Sequence, residues 1–129
     1  MRYILPIALL MLFAGCASRN LTGGALVAKI HNNHIRWDGN YFGLQVTGIS
    51  EAEEQVLRSG LACRPFLIAA LADESRFVAA HVLLTKMQDG SSPVSAETWN
   101  HLTVKLDADG HVEIPTVQRA EIQRLWTRD

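Results

Sequence analysis

The stretch that decides the fold is FVAAHVLLTKM, residues 77–87. Within it, Phe77, Ala80, Leu84 and Met87 recur at the spacing that aligns side chains on one face of an α-helix. Most positions between them are also apolar, so the helix has almost no face suited to water. We therefore predict that this helix forms the buried centre of the domain.

Helix signals also precede the central stretch. Ser50-Glu51-Ala52-Glu53 has the form of a capping box, with Ser50 as the N-cap and Glu53 as its partner in the first turn. Gly60 is a typical helix end, and Pro65 suits the first turn of the short apolar helix that follows it. Asp73 is predicted to cap the central helix. The sequence therefore predicts two helices before the central one.

Strands are predicted on both sides of these helices. Residues 25–30 are apolar enough for a first strand, and Asp38-Gly39-Asn40 is typical of a hairpin turn. Residues 99–106 alternate between apolar and polar side chains, and a turn at 107–110 leads into a second alternating arm. A final amphipathic helix is predicted over residues 117–126.

These elements predict an α+β fold, a small single domain with antiparallel β-hairpins packed on about four helices. Residues 66–87 resemble a single helical hairpin of the HEAT type. A solenoid needs several such repeats to bury its faces, so the resemblance implies a local helix pair packed on sheet and not an array.

The composition excludes two classes of protein. Of the 129 residues, 48% are hydrophobic and 19% are charged, which is normal for a globular domain and unlike a disordered chain. Twelve basic residues against 13 acidic ones give a net charge of −1. The chain lacks the positive charge with which proteins bind phosphates of nucleic acids, so we expect no nucleic-acid partner.

The amino terminus has the pattern of an export signal. Residues 1–16 read MRYILPIALLMLFAGC, in which Arg2 precedes the uncharged, mostly apolar run Ile4–Ala14. A helix needs about 20 residues to cross a bilayer, so this shorter run fits the apolar region of a signal peptide. Its end, Phe13-Ala14-Gly15-Cys16, resembles the lipobox of bacterial lipoproteins, with Phe in place of the usual Leu.

The lipobox resemblance implies where the protein resides. Residues 1–15 form the lipoprotein signal peptide in this reading, residues 16–24 the lipidated Cys16 and a tether, and residues 25–129 the domain. The implied partner is the lipid bilayer of the bacterial cell envelope, which fatty acids such as palmitate on Cys16 would enter. Ala17 follows the cysteine instead of the Asp that favours the inner membrane, so the outer membrane is favoured in a cell with two membranes.

Two residues are candidates for catalysis. Cys63 has no second cysteine to pair with once Cys16 carries lipid, and its apolar neighbours favour a buried thiol. His81 lies on the apolar central helix, where a histidine is usually a core residue, although burial beside a carboxylate would tune it as a base. Neither residue lies in a hydrolase signature, but a thiol–imidazole pair stays open as an alternative.

The candidate metal site is the H-x-x-H pattern of His31 and His34. The two asparagines between them favour a polar surface turn over a helix that would align the two rings. A third ligand would have to come from Asp38, His101 or His111, and no spacing in the sequence points to one of them.

The candidate surface for a partner is aromatic. Trp37, Tyr41 and Phe42 lie around the predicted first hairpin. Together with Trp99 and Trp126, they are either core and boundary residues or an exposed patch that binds another protein. We keep Trp37, Tyr41 and Phe42 as the candidate partner patch.

The leading functional hypothesis is a membrane-anchored envelope lipoprotein with a non-catalytic role, either binding an envelope protein or structural. Two alternatives are a small envelope hydrolase that uses Cys63 or His81 and a metal-binding domain that uses His31 and His34. We predict no cofactor, since the sequence has no phosphate-binding glycine loop, zinc-type spacing or nucleophile elbow.

Overall fold

The structure, a computed structural model, describes residues 22–40, 43–88, 98–109 and 111–128. Cys16 and the rest of the lipobox lie outside the described residues, as do Tyr41 and Phe42 of the candidate partner patch. The described part contains five α-helices: α1 (Gly23–Val27), α2 (Glu51–Ser59), α3 (Arg64–Ala70), α4 (Phe77–Gln88) and α5 (Arg119–Trp126).

Three antiparallel strand pairs complete the described part. They are β1 (Arg36–Asn40) with β2 (Gly43–Gly48), β3 (Thr98–Trp99) with β4 (Leu102–Thr103), and β5 (Lys105–Leu106) with β6 (Val112–Glu113). Four of the helices have seven residues or more, and α1 is a shorter helix of five residues. The predicted fold class, a small single α+β domain with antiparallel hairpins and about four helices, is confirmed.

Helix α4 is the centre of the core, as the sequence predicts. Residues 77–85 are buried without interruption. The same buried cluster contains residues from each of the other described helices, among them Leu26, Val56, Leu67 and Ile122. A helix that is apolar on all sides requires such an enclosure, because any exposed face would leave apolar surface in water.

The start of α4 is closed by a residue far away in the chain. The Asn32 Oδ1 atom accepts hydrogen bonds from the backbone N–H groups of Val78 and Ala79, at 2.9 and 3.3 Å. Asp73, which was predicted to cap α4, instead closes the preceding turn by accepting a hydrogen bond from the Ser75 N–H at 2.8 Å. Asn32 therefore performs, from a distance, the role that the sequence pattern assigned to Asp73.

The prediction of a first strand over residues 25–30 is wrong, because the chain forms a helix at the start of this stretch. Helix α1 begins at Gly23, and the Thr22 hydroxyl caps it by accepting a hydrogen bond from the Ala25 N–H at 3.2 Å. Its apolar residues follow helical spacing and face the core, with Leu26, Val27 and Ile30 buried. Gly23 and Gly24, which were predicted as the end of the tether, are helical residues of the domain.

The first hairpin is confirmed, but the residues predicted as its turn belong to a strand. Gly39 pairs with Leu44 and Asn40 with Gly43, so Asp38-Gly39-Asn40 is part of β1. This register buries Leu44 in the core. A shift by one residue would move that side chain to the opposite face, and its burial outweighs the turn preference of Asp-Gly.

The single strand predicted over residues 99–106 is interrupted by a tight turn. Asn100 and His101 have φ angles of 43° and 70°, which reverse the chain between β3 and β4. The chain then continues into β5, which pairs with β6. The predicted turn between these two strands is confirmed, with the Asp107 carboxylate accepting hydrogen bonds from the N–H groups of Asp109 and His111.

Helix α2 starts after Ser50 as predicted, but the capping box does not form. Ser50 makes no side-chain hydrogen bond to the helix start. Glu53, its predicted partner, points into the protein and is buried. The helix ends at Gly60, whose φ of 67° is favoured by glycine, as the sequence indicates.

Candidate functional site

His81 connects α4 to two other parts of the fold. Its Nε2 atom lies 2.8 Å from the Asn100 carbonyl oxygen in the turn between β3 and β4. Its Nδ1 atom lies 2.8 Å from the indole Nε1 of Trp126 in α5. The same ring makes edge contacts with Trp99 and Trp126, with ring centroids 5.7 and 5.9 Å apart. Both nitrogens of this candidate base are thus used to hold the structure together.

The partners of His81 determine which nitrogen carries the proton. A carbonyl oxygen can only accept a hydrogen bond, so Nε2 carries the hydrogen and donates it to Asn100. The indole N–H can only donate, so Nδ1 carries none and accepts from Trp126. Burial lowers the pKa of His81 from 6.5 to about 4, and a proton on Nδ1 would also face the indole N–H. His81 is therefore a neutral core histidine at physiological pH.

A hydroxyl extends this network along α4. Thr85 Oγ1 donates a hydrogen bond to the His81 carbonyl at 2.8 Å and accepts one from the Asn100 side-chain amide at 2.8 Å. Asn100 is thus held by both its main chain and its side chain in the left-handed conformation that the turn requires. The polar groups of His81, Thr85 and Asn100 thus satisfy one another.

Cys63, the other catalytic candidate, is buried at the junction of α2 and α3. Burial raises the pKa of its thiol, and the side chain is hydrogen-bonded with Ser59. A nucleophilic cysteine needs the opposite environment, one that stabilises the thiolate. Since the nitrogens of His81 bond to Asn100 and Trp126, neither is available to activate this thiol.

His31 and His34, the candidate metal ligands, lie just before and at the end of a short 3-10 turn (Asn32–His34), and both contact one buried carboxylate. The Glu53 Oε1 atom accepts a hydrogen bond from the His31 backbone N–H at 3.1 Å and lies 2.8 Å from His34 Nδ1. His31 Nδ1 itself accepts a hydrogen bond from the Asn33 N–H at 3.0 Å. The turn is therefore tied to α2 through Glu53, a residue that was predicted only as part of a helix cap.

The second oxygen of the Glu53 carboxylate, Oε2, is buried and has no hydrogen-bond partner within the described part of the chain. Burial of a carboxylate is costly unless each oxygen is paired, so this side chain holds α2 and the 3-10 turn together at an energetic cost. The capping-box pattern does not indicate this inward orientation.

Among the described residues, the one group of three side chains placed to share a metal ion lies elsewhere, at Asp107, Asp109 and His111. These ligand atoms lie within 4.8 Å of one another and all three residues are exposed. The Asp107 carboxylate already bonds to the backbone and ring of His111 across the turn. The predicted third ligands thus do not join His31 and His34 in such a group.

A groove of about 330 Å³ opens between the 3-10 turn, β1, the start of α4 and the β6 region. Six of its lining residues are apolar: Ile35, Trp37, Phe77, Val78, Val112 and Ile114. Three are polar and uncharged: Asn32, Asn33 and Thr116. No charged side chain is among the described residues that line it. Polar and apolar atoms contribute about equally to its accessible walls, so the groove suits an uncharged group with both polar and apolar parts.

Trp37 belongs both to this groove and to the candidate partner patch. It is partly buried and packs against the core, with its ring edge-on to Trp99 at a centroid distance of 5.7 Å. Tyr41 and Phe42 lie outside the described residues, so the patch as a set stays a prediction. Asn32, at the opposite wall, is fixed by its bonds to the start of α4 and donates a hydrogen bond to the Glu74 carbonyl.

Comparisons with known protein families, with curated proteins and with solved structures give no match to this chain. No helix among the described residues has the length and apolar character needed to cross a membrane.

Proposed function

We propose that this protein is a lipid-anchored component of the bacterial envelope that binds another envelope protein and does not catalyse a reaction. The anchor is Cys16, the acylated first residue of the mature chain that remains when residues 1–15 are removed, and the outer membrane is its favoured location in a cell with two membranes. The lipobox-like sequence Phe13-Ala14-Gly15-Cys16 supports the anchor. The uncharged groove beside Trp37 supports the binding role.

The groove is the observation that carries the binding role. Its volume of about 330 Å³ and its uncharged, partly polar walls fit one or two uncharged side chains of a partner. Val112 at its edge is 45% exposed, so apolar surface continues out of the groove towards solvent. Apolar anchors seated in pockets contribute most of the binding energy in many protein interfaces.

The hydrolase alternative receives less support from the residues on which it depends. His81 uses both ring nitrogens in hydrogen bonds within the core, and burial lowers its pKa. Burial raises the pKa of Cys63 and so disfavours the thiolate. For these two residues a structural role in the core explains the geometry better than a catalytic one.

The anchor is tested by growing cells that express the full chain with radiolabelled palmitate. We expect label in the protein and none in the Cys16→Ser variant. An unlabelled wild-type protein that stays full length in the cytosol would overturn the proposal.

The binding role is tested with a photo-crosslinking amino acid at Val112 in the full chain. The control is the same amino acid at Val117, which is 82% exposed and lies outside the groove lining. We expect a discrete crosslinked envelope protein from position 112 that is weak or absent from position 117. Equal crosslinking from both sites would contradict a specific role of the groove.

A further inference from the structure

An exposed apolar surface lies on α3 and the turn before it. Leu61 and Phe66 are 76% and 44% exposed. Ala62, Pro65 and Ala69 are exposed beside them. We name these five residues the α3 patch. Their spacing places them along one side of a helical segment, so they form a continuous surface and not scattered exposed residues.

The α3 patch lies where the chain enters the domain. The backbone of Gly23 and Gly24 packs directly on the Phe66 ring, since a Cβ atom at either position would come within about 3 Å of it. A Cβ atom at Gly23 would also lie 2.9 Å from the Ala62 carbonyl oxygen. The first helix of the domain is thus seated against the patch.

The distance from this point to the proposed anchor is short. The chain from Cys16 to Gly23 spans at most about 25 Å when fully extended, at roughly 3.6 Å per residue. An acylated Cys16 would therefore hold the α3 patch close to the bilayer surface. The anchor itself tends to bring this side of the domain towards the membrane.

The charge of this segment fits a membrane surface. Residues 55–72 contain Arg58 and Arg64 and no acidic residue. Arg58 pairs with Glu51 in α2, whereas Arg64 begins α3, next to Pro65 of the patch. Anionic headgroups attract basic residues beside an apolar surface and repel acidic ones.

From these observations we propose that the α3 patch is a membrane-contact surface, with Leu61 and Phe66 entering the headgroup region of the bilayer that holds the anchor. The inference rests on the proposed acylation of Cys16. The single anchor residue would then be joined by a second contact, which fixes the orientation of the domain on the membrane. Two attachments to the same membrane hold a protein more firmly than either one alone.

The test uses the full lipidated chain in vesicles of phosphatidylethanolamine and phosphatidylglycerol. A fluorescent probe that senses polarity is attached at Leu61→Cys or, as control, at Val117→Cys. Cys63 is buried with a raised thiol pKa, so the introduced cysteine is the reactive site. Quenching by spin-labelled lipids and by iodide in the water is then compared for the two positions.

We expect lipid quenching at position 61 to be several-fold stronger than at 117, and iodide quenching to be weaker. Equal quenching at both positions would overturn the proposal. Protection at position 61 from both quenchers would also overturn it, since the tether or a second copy would then cover the patch. Leu61→Glu, at an exposed position that does not carry the fold, should remove the lipid quenching of a probe at Ala62→Cys.

Labelling with palmitate on the same sample separates the two proposals. Absence of label would overturn the anchor and with it the membrane-contact surface. Labelled protein whose probe at position 61 is not quenched by lipid would overturn the α3 patch alone.

Discussion

Acidification should destabilise the domain through His81. The side chain is fully buried, and burial lowers its pKa from 6.5 to about 4. Above pH 6.5 the ring is neutral in both the folded and the unfolded chain, so it makes no pH-dependent contribution. Between pH 6.5 and about 4 the unfolded chain binds a proton that the folded chain does not, and stability falls.

The size of this loss follows from the two pKa values. Each pH unit between them changes the free energy of unfolding by roughly 1.4 kcal/mol, which gives a total of about 3 kcal/mol. Small domains have a total stability of about 5–15 kcal/mol, so this single side chain removes a substantial part. Below about pH 4 the loss from His81 should level off, because both states are then protonated.

Asp73 affects the stability of the fold in a separate, more acidic pH range. Hydrogen bonds from Ser75, followed by those from Arg76, lower the pKa of Asp73 from 3.8 to about 2. A carboxylate with a lowered pKa stabilises the fold above its unfolded value, and that contribution is lost as the pH falls through the folded value. Its effect therefore begins only below about pH 3.8, after most of the His81 effect is complete.

The assay is urea unfolding of the full chain in detergent, followed by tryptophan fluorescence at a series of pH values. Trp99 and Trp126 both contact the His81 ring, so the signal reports on this part of the core. The His81→Gln variant does not titrate and still offers an amide donor to Asn100. It should be less stable at neutral pH by about 1–3 kcal/mol, because the Trp126 N–H loses its acceptor.

The difference in stability between the wild type and His81→Gln should shrink as the pH falls towards 4. If both proteins lose the same stability over that range, the reasoning is refuted. Should the variant not fold, nitrogen NMR of the wild-type imidazole decides the matter. A ring that carries its hydrogen on Nδ1 at neutral pH, or that titrates near 6.5, contradicts the bonding described for His81.

Three further predictions concern other parts of the core. Gly23→Ala normally favours a helix, but here it should destabilise the domain by about 1–3 kcal/mol because the added Cβ would lie 2.9 Å from the Ala62 carbonyl oxygen and 3.0 Å from the Phe66 ring; thermal melts should show a smaller loss in a Phe66→Ala background. Glu53→Ala should cost about 2–4 kcal/mol in urea unfolding, and the exposed Glu51→Ala should cost clearly less; equal losses would contradict the inward role of Glu53. Thiol labelling of Cys63 should be slow in the native protein and fast in urea, and fast native labelling would contradict its burial.

The sequence predicts the elements whose cause is local. The apolar run at 77–87 has to be enclosed wherever it lies, and the pattern alone therefore identifies α4 as the core. Gly60 ends α2 because its own backbone conformation favours glycine. Such features depend on residues close together in the chain.

The predictions are wrong where a residue far away in the chain overrides the local structural preference. Glu53 has the spacing of a capping partner, but its carboxylate instead bonds to the His31 N–H and the His34 ring. The alternation over residues 99–106 predicts a strand, but Asn100 forms a left-handed turn that His81 and Thr85 hold from α4. Neither contact is visible in a local pattern.

The candidate site likewise combines residues that local patterns predict and residues whose role depends on contacts far away in the chain. Trp37 belongs to the aromatic patch that the sequence predicts, and it lines the groove. Asn32 was read as an ordinary turn residue, although it both lines the groove and closes the start of α4. Its role requires a contact across 46 residues, which spacing along the chain does not reveal.

The bond between Asn32 and α4 also bears on how the chain folds. Asn32 lies 46 residues before the Val78 N–H that it caps, so the start of α4 stays uncapped until these two parts of the chain meet. Closing a loop of this length carries an entropic cost, so we expect the first turn of α4 to gain its cap late in folding. The last step of assembly is therefore expected at the amino-terminal end of the central helix, where the groove wall is completed.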